Sequence, residues 1–128
     1  MRAGSRRRGG SCFISHGPAT EILLAGRRLV HDGWLLLNHP LYGNFRPHQQ
    51  PYRSLLLKSN PVAVQNSGGL ERVVPDEHSL HLMEEALGLY GRVPVLSPDQ
   101  APPAYREDCA LIDLELMRLP LDQAGWPV

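Results

Sequence analysis

The segment 38–54 concentrates side chains that could bind a ligand or transfer a proton. Histidine is the side chain that changes charge near neutral pH, and the segment has two, His39 and His48. Its two arginines, Arg46 and Arg53, present planar guanidinium groups that suit a carboxylate or a phosphate. Neutral hydrogen-bonding side chains accompany them: Asn38, Tyr42, Tyr52 and Ser54. These residue types predict a site for a small anion, with His39 as the candidate acid or base.

Prolines restrict the shape of this segment. Pro40, Pro47 and Pro51 each fix one backbone angle, which lowers the entropy cost of holding the chain in one conformation. About 14 residues separate the two predicted strands on either side, and a connection of that length is often functional. The alternative is a structural crossover whose polar groups satisfy its own backbone. Composition alone leaves both interpretations open.

The hydrophobic pattern predicts the elements that position this segment. Apolar residues recur at helical spacing after Pro18 and after Asp76, and Thr20 and Asp76 are suited to cap the two helices. Continuous or alternating apolar runs elsewhere predict strands. In chain order we expect a short strand at 12–15, a helix between Thr20 and Gly33, strands at 34–37 and 52–58, a loop at about 60–77, a helix at 77–90, a helical turn at 104–109 and a strand at 111–117.

This order predicts an α/β (or α+β) fold, a small single-sheet sandwich with two main helices in the order (β)-α-β-β-α-β. Residues 12–128 are predicted to form a single α/β domain. Residues 1–11 lack the apolar region of a signal peptide, so export is not predicted. They are predicted to form a disordered Arg-rich tail, with a misplaced start site as the alternative. In this scheme Asp113 and Glu115 lie on the solvated face of the last strand.

Composition narrows the class of protein. A chain of 128 residues is the size of one domain, and its longest apolar run is four residues, so no membrane span is predicted. Net charge is zero, but residues 1–58 have nine Lys or Arg and two acids, whereas residues 59–128 have four and eleven. The two halves could neutralise each other, or the first half could form a basic patch for an anionic ligand. The acidic second half argues against nucleic acid as a partner.

Cysteines and histidines outside the loop predict no metal site or cofactor. Cys12 and Cys109 have neither CxxC nor metal-ligand spacing, and they indicate reduced thiols in a cytoplasmic protein. His78, His81 and Glu85 could hold a metal on one helix face, but His81 and Glu85 more simply form an exposed pair one turn apart.

Known catalytic motifs are also missing from the sequence. Ser54, His39 and Asp113 could supply a hydrolase triad, yet no Gly-x-Ser-x-Gly turn occurs. Neither a Walker motif nor GxGxxG is present.

An ordered set of distinctive residues runs through 27–57. Val-His-Asp-Gly at 30–33 is followed by Leu-Leu-Asn-His-Pro-Leu-Tyr-Gly-Asn at 36–44, Arg-Pro at 46–47 and Pro-Tyr-Arg-Ser-Leu at 51–55. Weaker matches follow at 79–86 and 108–114. This pattern resembles the GrdX family, small proteins encoded beside the glycine reductase system of amino-acid-fermenting anaerobes. The resemblance covers most of the chain from about residue 20.

The resemblance implies an accessory role in reductive amino-acid metabolism rather than a named reaction. Our first hypothesis is a cytoplasmic accessory protein that binds a small carboxylate or phosphate, or a glycine reductase subunit, through the loop. Arg46 and Arg53 would hold the anionic group, and His39 and Tyr52 would orient it. The second hypothesis is a small enzyme in which His39 is the acid or base. The third is a dimer contact made by the loop through Tyr42 and Phe45.

Overall fold

Three helices and two small antiparallel sheets make up the computed structural model, which describes residues 12–125. The predicted α/β class is confirmed. The elements are β1 (Cys12–Pro18), α1 (Ala19–His31), β2 (Trp34–Leu36), β3 (Tyr52–Ser59), β4 (Val64–Ser67), β5 (Leu70–Val73), α2 (Glu77–Tyr90) and α3 (Pro103–Gln123). The predicted disordered tail lies outside the described residues, and the single domain over 12–128 stays a prediction.

Strand β3 is the centre of the larger sheet, whose order is β1-β3-β2 with both neighbours antiparallel to β3. Because side chains alternate along a strand, Leu55 and Leu57 face the core with Ile22 of α1 and Met83 of α2. Each such buried side chain contributes about 1.5–3 kcal/mol. Helix α3 contacts β3 from the other face, which carries Ser54. The sheet therefore lies between α1 and α2 on one side and α3 on the other.

The starts of the first two helices differ in how they are capped. Helix α2 spans Glu77–Tyr90 as predicted, and the Asp76 side chain accepts a hydrogen bond from Ser79 N at 2.9 Å. The prediction that Thr20 caps α1 is wrong. Strand β1 continues to Pro18, the helix starts at Ala19, and the Ala19 N–H donates to the Pro51 carbonyl at 2.8 Å. The Pro51 carbonyl, in the loop, therefore accepts a hydrogen bond at the helix start in place of a capping side chain.

A hairpin occupies part of the predicted loop at 60–77. Strands β4 and β5 pair antiparallel through a two-residue turn, Gly68-Gly69, with φ values of +58° and +80°. Left-handed backbone at both turn residues matches the right-handed twist of hairpin strands. All eight strand residues are exposed, so burial leaves no alternating pattern in the sequence.

Helix α3 replaces the helical turn and final strand that the sequence predicts at 104–109 and 111–117. Its buried residues are Cys109, Asp113 and Met117, one turn apart on a single helix face. The apparent alternation of apolar residues in this segment arises from side chains on the exposed sides of the helix. The prediction that Asp113 is solvated is also wrong, since Asp113 has no exposed surface, whereas Glu115 is exposed as expected.

Candidate functional site

A buried carboxylate, Asp113, is the centre of a polar cluster between β1, β3 and α3. Its Oδ2 accepts hydrogen bonds from Ser54 Oγ at 2.6 Å and His16 Nδ1 at 2.8 Å, and its Oδ1 accepts from the Tyr42 hydroxyl. A buried charge is costly unless hydrogen bonds compensate it. Three side-chain donors from three other segments of the chain meet that requirement at Asp113.

His16 is a partly exposed member of the cluster. Its Nδ1 lies 2.8 Å from Asp113 Oδ2 and 2.7 Å from Ser54 Oγ. We assign the proton to Nδ1, because an acceptor there would leave the carboxylate facing a lone pair. Nε2 is bonded to no described residue and is not buried, and the side chain is 23% exposed. The ring stacks on Tyr52, with centroids 5.8 Å apart. His16 therefore presents an unprotonated nitrogen outward whenever it is neutral.

Tyr42 connects the loop to this cluster. Its hydroxyl donates to Asp113 and accepts a hydrogen bond from Ser54 N at 2.8 Å. Burial, and then the neighbouring Asp113 charge, raise the pKa of the Tyr42 phenol well above its ordinary value. Tyr42 is consequently a permanent neutral donor to the carboxylate.

Arg53 fixes the loop from the opposite face of β3. Its guanidinium is fully buried and donates to the carbonyls of Tyr42 at 2.6 Å and Phe45 at 3.0 Å, and to the Tyr90 hydroxyl at 3.1 Å. It also lies 5.2 Å from the centre of the Tyr42 ring, which suits a cation–π contact. These hydrogen bonds hold residues 42–45 against β3 and α2.

The loop turns sharply at Gly43 and Asn44, which have φ values of +82° and +55°. A Cβ atom on residue 43 would lie 2.7 Å from Leu116 Cδ1 and 3.2 Å from the Phe45 ring. Left-handed backbone and close packing together require glycine at this position. The turn directs Phe45 and the residues after it toward the end of α2.

A groove of about 870 Å³ lies between this loop and the end of α2. Its exposed polar side chains are Asn44, Arg46 and His48. The Arg46 guanidinium makes no ion pair with any residue between 12 and 125. Apolar side chains form the remaining walls: Leu41, Phe45, Pro47, Leu89, Val93 and Pro94. The groove is therefore an apolar surface with an exposed cation beside it.

The comparison with protein families shows to which family this chain belongs. A family described as GrdX-like protein matches residues 6–122, which include the loop, the polar cluster and the groove. The chain belongs to the GrdX-like family. The predicted resemblance is confirmed. No curated protein and no solved structure matches the chain.

The predicted site residues lie in several separate parts of this GrdX-like chain. Asn38 is buried and extends the sheet edge beyond β2, with its side chain bonded to Leu56 N at 2.8 Å and the Ser54 carbonyl at 3.0 Å. His39 is exposed, and its Nδ1 accepts from Leu41 N at 3.0 Å. Arg46 is exposed at the groove, whereas Arg53 is buried. The structure does not combine the two arginines into one exposed anion site.

Ser54 and Tyr52 meet a histidine that the sequence did not single out. Ser54 and Asp113 come together as a triad would require, but with His16 in place of His39. In a hydrolase triad the histidine bonds the serine and the carboxylate through different nitrogens. Here both lie at Nδ1, and Ser54 donates directly to Asp113. This arrangement leaves Ser54 inactivated as a nucleophile and makes it a support for the His16–Asp113 pair.

The remaining candidate groups lie apart from this cluster. Between residues 12 and 125 no three His, Cys, Asp or Glu side chains converge as a metal site would require. His81 and Glu85 form the exposed pair, 3.0 Å apart. Cys12 and Cys109 are free and buried, and burial raises the pKa of the Cys109 thiol. Of the helices in the described region, none has the length and apolar character to cross a membrane.

Proposed function

We propose that this GrdX-like protein is an accessory protein of glycine reductase metabolism, which binds an acidic and partly apolar segment of a partner subunit in the groove beside the 38–54 loop. The family name supports the link to glycine reductase. The observation that carries the proposal is the groove itself, in which the exposed Arg46 adjoins apolar walls from the loop and α2.

The size and lining of the groove favour a protein segment over a small anion. Ligand pockets span about 300–1,000 Å³, so a volume of about 870 Å³ is at the large end of that range. A molecule the size of glycine or phosphate would fill a small part of it and leave the apolar walls in water. A peptide segment with an acidic residue next to an apolar one could pair with Arg46 and cover Phe45 and Leu89 together.

Arg53 and Gly43 support this proposal because they give the groove a fixed wall. Two hydrogen bonds from Arg53 hold the loop, a third joins Arg53 to Tyr90 of α2, and the left-handed turn at Gly43 places Phe45. A preformed site avoids much of the entropy cost of ordering a loop on binding.

The test is binding of purified glycine reductase subunits to the full chain by isothermal titration calorimetry. We expect one subunit to bind, Arg46→Glu to weaken it at least tenfold, and Leu89→Asp to weaken it further. Arg72→Glu is the matched control, since Arg72 is an exposed arginine on β5, away from the groove. Equal affinity of Arg46→Glu and Arg72→Glu for the subunit would refute the proposal.

A thermal-shift series with glycine, acetyl phosphate and inorganic phosphate tests the small-anion alternative. A ligand that binds only the folded chain raises its melting temperature. A shift with one of these anions that disappears in Arg46→Glu, without any subunit binding, would replace the partner segment with a small ligand.

One observation favours a second function, acid–base catalysis by His16. Its protonated Nδ1 is held by Asp113 and its Nε2 is open, so Nε2 can accept a proton while the carboxylate stabilises the imidazolium that forms. Long-range ¹H–¹⁵N spectra should find the neutral ring protonated at Nδ1. If the chain accelerates a step of the glycine reductase reaction, His16→Gln should remove that acceleration and His39→Gln should keep it. The reverse pattern would favour His39.

A further inference from the structure

The outer surface of helix α3 is more apolar than is usual for a helix that faces water. It buries a single stripe, Cys109, Asp113 and Met117, against the sheet. On other sides large apolar side chains are exposed, with Leu111 at 61% and Leu114 at 54% of their surface. A surface helix normally carries charged and polar residues on its outer face. Exposed leucines in the middle of the helix therefore need an explanation.

Six residues on the outer side of the helix repeat with the spacing of a coiled-coil seam. From one position to the next the intervals are three, four, three, four and three residues, which keeps all six on one helix face. With a rise of about 1.5 Å per residue the seam is about 26 Å long. Its members are Ala104, Glu107, Leu111, Leu114, Arg118 and Leu121.

This seam complements itself when two copies run antiparallel. A two-fold axis between Leu111 and Leu114 places Leu111 of one copy opposite Leu114 of the other, and Glu107 opposite Arg118. At the ends the small Ala104 meets the larger Leu121. A parallel pair would instead place Glu107 against Glu107 and Arg118 against Arg118, which repel. The charges thus select one orientation of one partner, a second copy of this chain.

Among residues 12–125, one ion pair competes with this pairing. Arg118 Nε lies 3.2 Å from Glu115 within the same helix, but the side chains are 71% and 62% exposed, so the pair is weak and can be exchanged. The seam lies on the side of α3 away from Asp113. Pairing therefore leaves the polar cluster in place.

We propose that α3 is the dimerisation helix of this protein and forms an antiparallel pair with α3 of a second copy. A single helix pair buries less than the roughly 800 Å² per partner of a standard interface, so we expect a dissociation constant in the micromolar range. The proposal is independent of the groove and of its occupant. It also differs from the loop dimer through Tyr42 and Phe45 that the sequence allowed.

Sedimentation equilibrium of the full chain from 1 to 500 µM tests the proposal. We expect the mass to rise from the monomer value of 14.3 kDa toward twice that value. Leu111→Glu should keep the chain monomeric, while Leu70→Glu, on a hairpin leucine that is even more exposed (74%), should leave the dimer intact. Phe45→Asp should also leave it intact. A monomer at every concentration, or a dimer that dissociates with Phe45→Asp and not with Leu111→Glu, overturns the proposal.

Charge exchange tests the orientation separately. Glu107→Arg and Arg118→Glu should each weaken the dimer at least tenfold, and the double variant should return to within about threefold of the original. Since both residues are exposed, far-UV circular dichroism should show unchanged folding in all three. If the double variant dissociates as readily as the single ones, the antiparallel register is wrong.

Discussion

Replacement of Arg53 by Met should destabilise the fold rather than merely weaken ligand binding. Arg53 is fully buried and donates three hydrogen bonds to neutral acceptors. Bonds that involve a charged group contribute about 1.5–3 kcal/mol each, a gross loss of about 5–9 kcal/mol. Methionine also removes the dehydration cost of the buried guanidinium, which is several kcal/mol. The net loss should be about 2–4 kcal/mol, with the loop carbonyls of Tyr42 and Phe45 left unpaired.

Urea unfolding followed by far-UV circular dichroism measures this loss directly. Arg46→Met is the matched control in the same loop, and because Arg46 is exposed it should change the free energy of unfolding by less than about 0.5 kcal/mol. Limited chymotrypsin digestion should cut the Arg53→Met chain at Phe45 faster than the parent. Equal unfolding midpoints for the parent and both variants would refute the assignment of Arg53 as the anchor of the loop.

Three further predictions concern single side chains. Asp76→Ala should lower the free energy of unfolding by about 1 kcal/mol at pH 7. Hydrogen bonds from Ser79 lower the pKa of Asp76, so its side chain contributes fully above the unfolded pKa of 3.8 and loses that contribution as pH falls through the lower folded pKa. Urea unfolding at pH 7, 4 and 2 can follow this loss. Gly43→Ala should lose at least about 1–2 kcal/mol because φ is +82°, whereas Gly88→Ala, in open space on α2, should gain up to about 1 kcal/mol. The Cys109 thiol should resist Ellman's reagent at pH 8 in the native chain and react in urea, since burial raises its pKa; rapid native reaction would contradict the packing of α3.

The sequence predicted correctly those elements that are defined by short stretches of neighbouring residues. The Asp76 cap and the apolar face that follows it indicate α2 with its observed limits, and the continuous apolar runs indicate β2 and β3. Helix α3 was predicted incorrectly because the exposed Ile112, Leu114 and Leu116 alternate with polar residues, which resembles a strand between 111 and 117. Because apolar side chains lie both on the side of α3 that faces the sheet and on its outward side, the sequence shows no single apolar helix face.

The polar cluster could be predicted only in part, because it depends on contacts between distant segments. Ser54 and Asp113 are 59 residues apart and His16 is 38 residues from Ser54. The sequence around His16, a short strand before Gly17 and Pro18, has no feature that distinguishes this histidine from the five others. The β1–β3 register, which places His16 opposite Ser54, is what selects it. Arg53 has the residue type of an anion ligand, and only its burial shows that its acceptors are carbonyls of its own loop.

Tyr42 makes the loop and the His16–Asp113 pair parts of one structure. Its carbonyl accepts from Arg53, on the side of β3 that faces α2, and its hydroxyl donates to Asp113 on the side that faces α3. Because Asp113 also accepts from His16 Nδ1, the loop and His16 share one carboxylate. The buried cation and the buried carboxylate, one from the basic half of the chain and one from the acidic half, are thus linked through a neutral tyrosine rather than by direct contact.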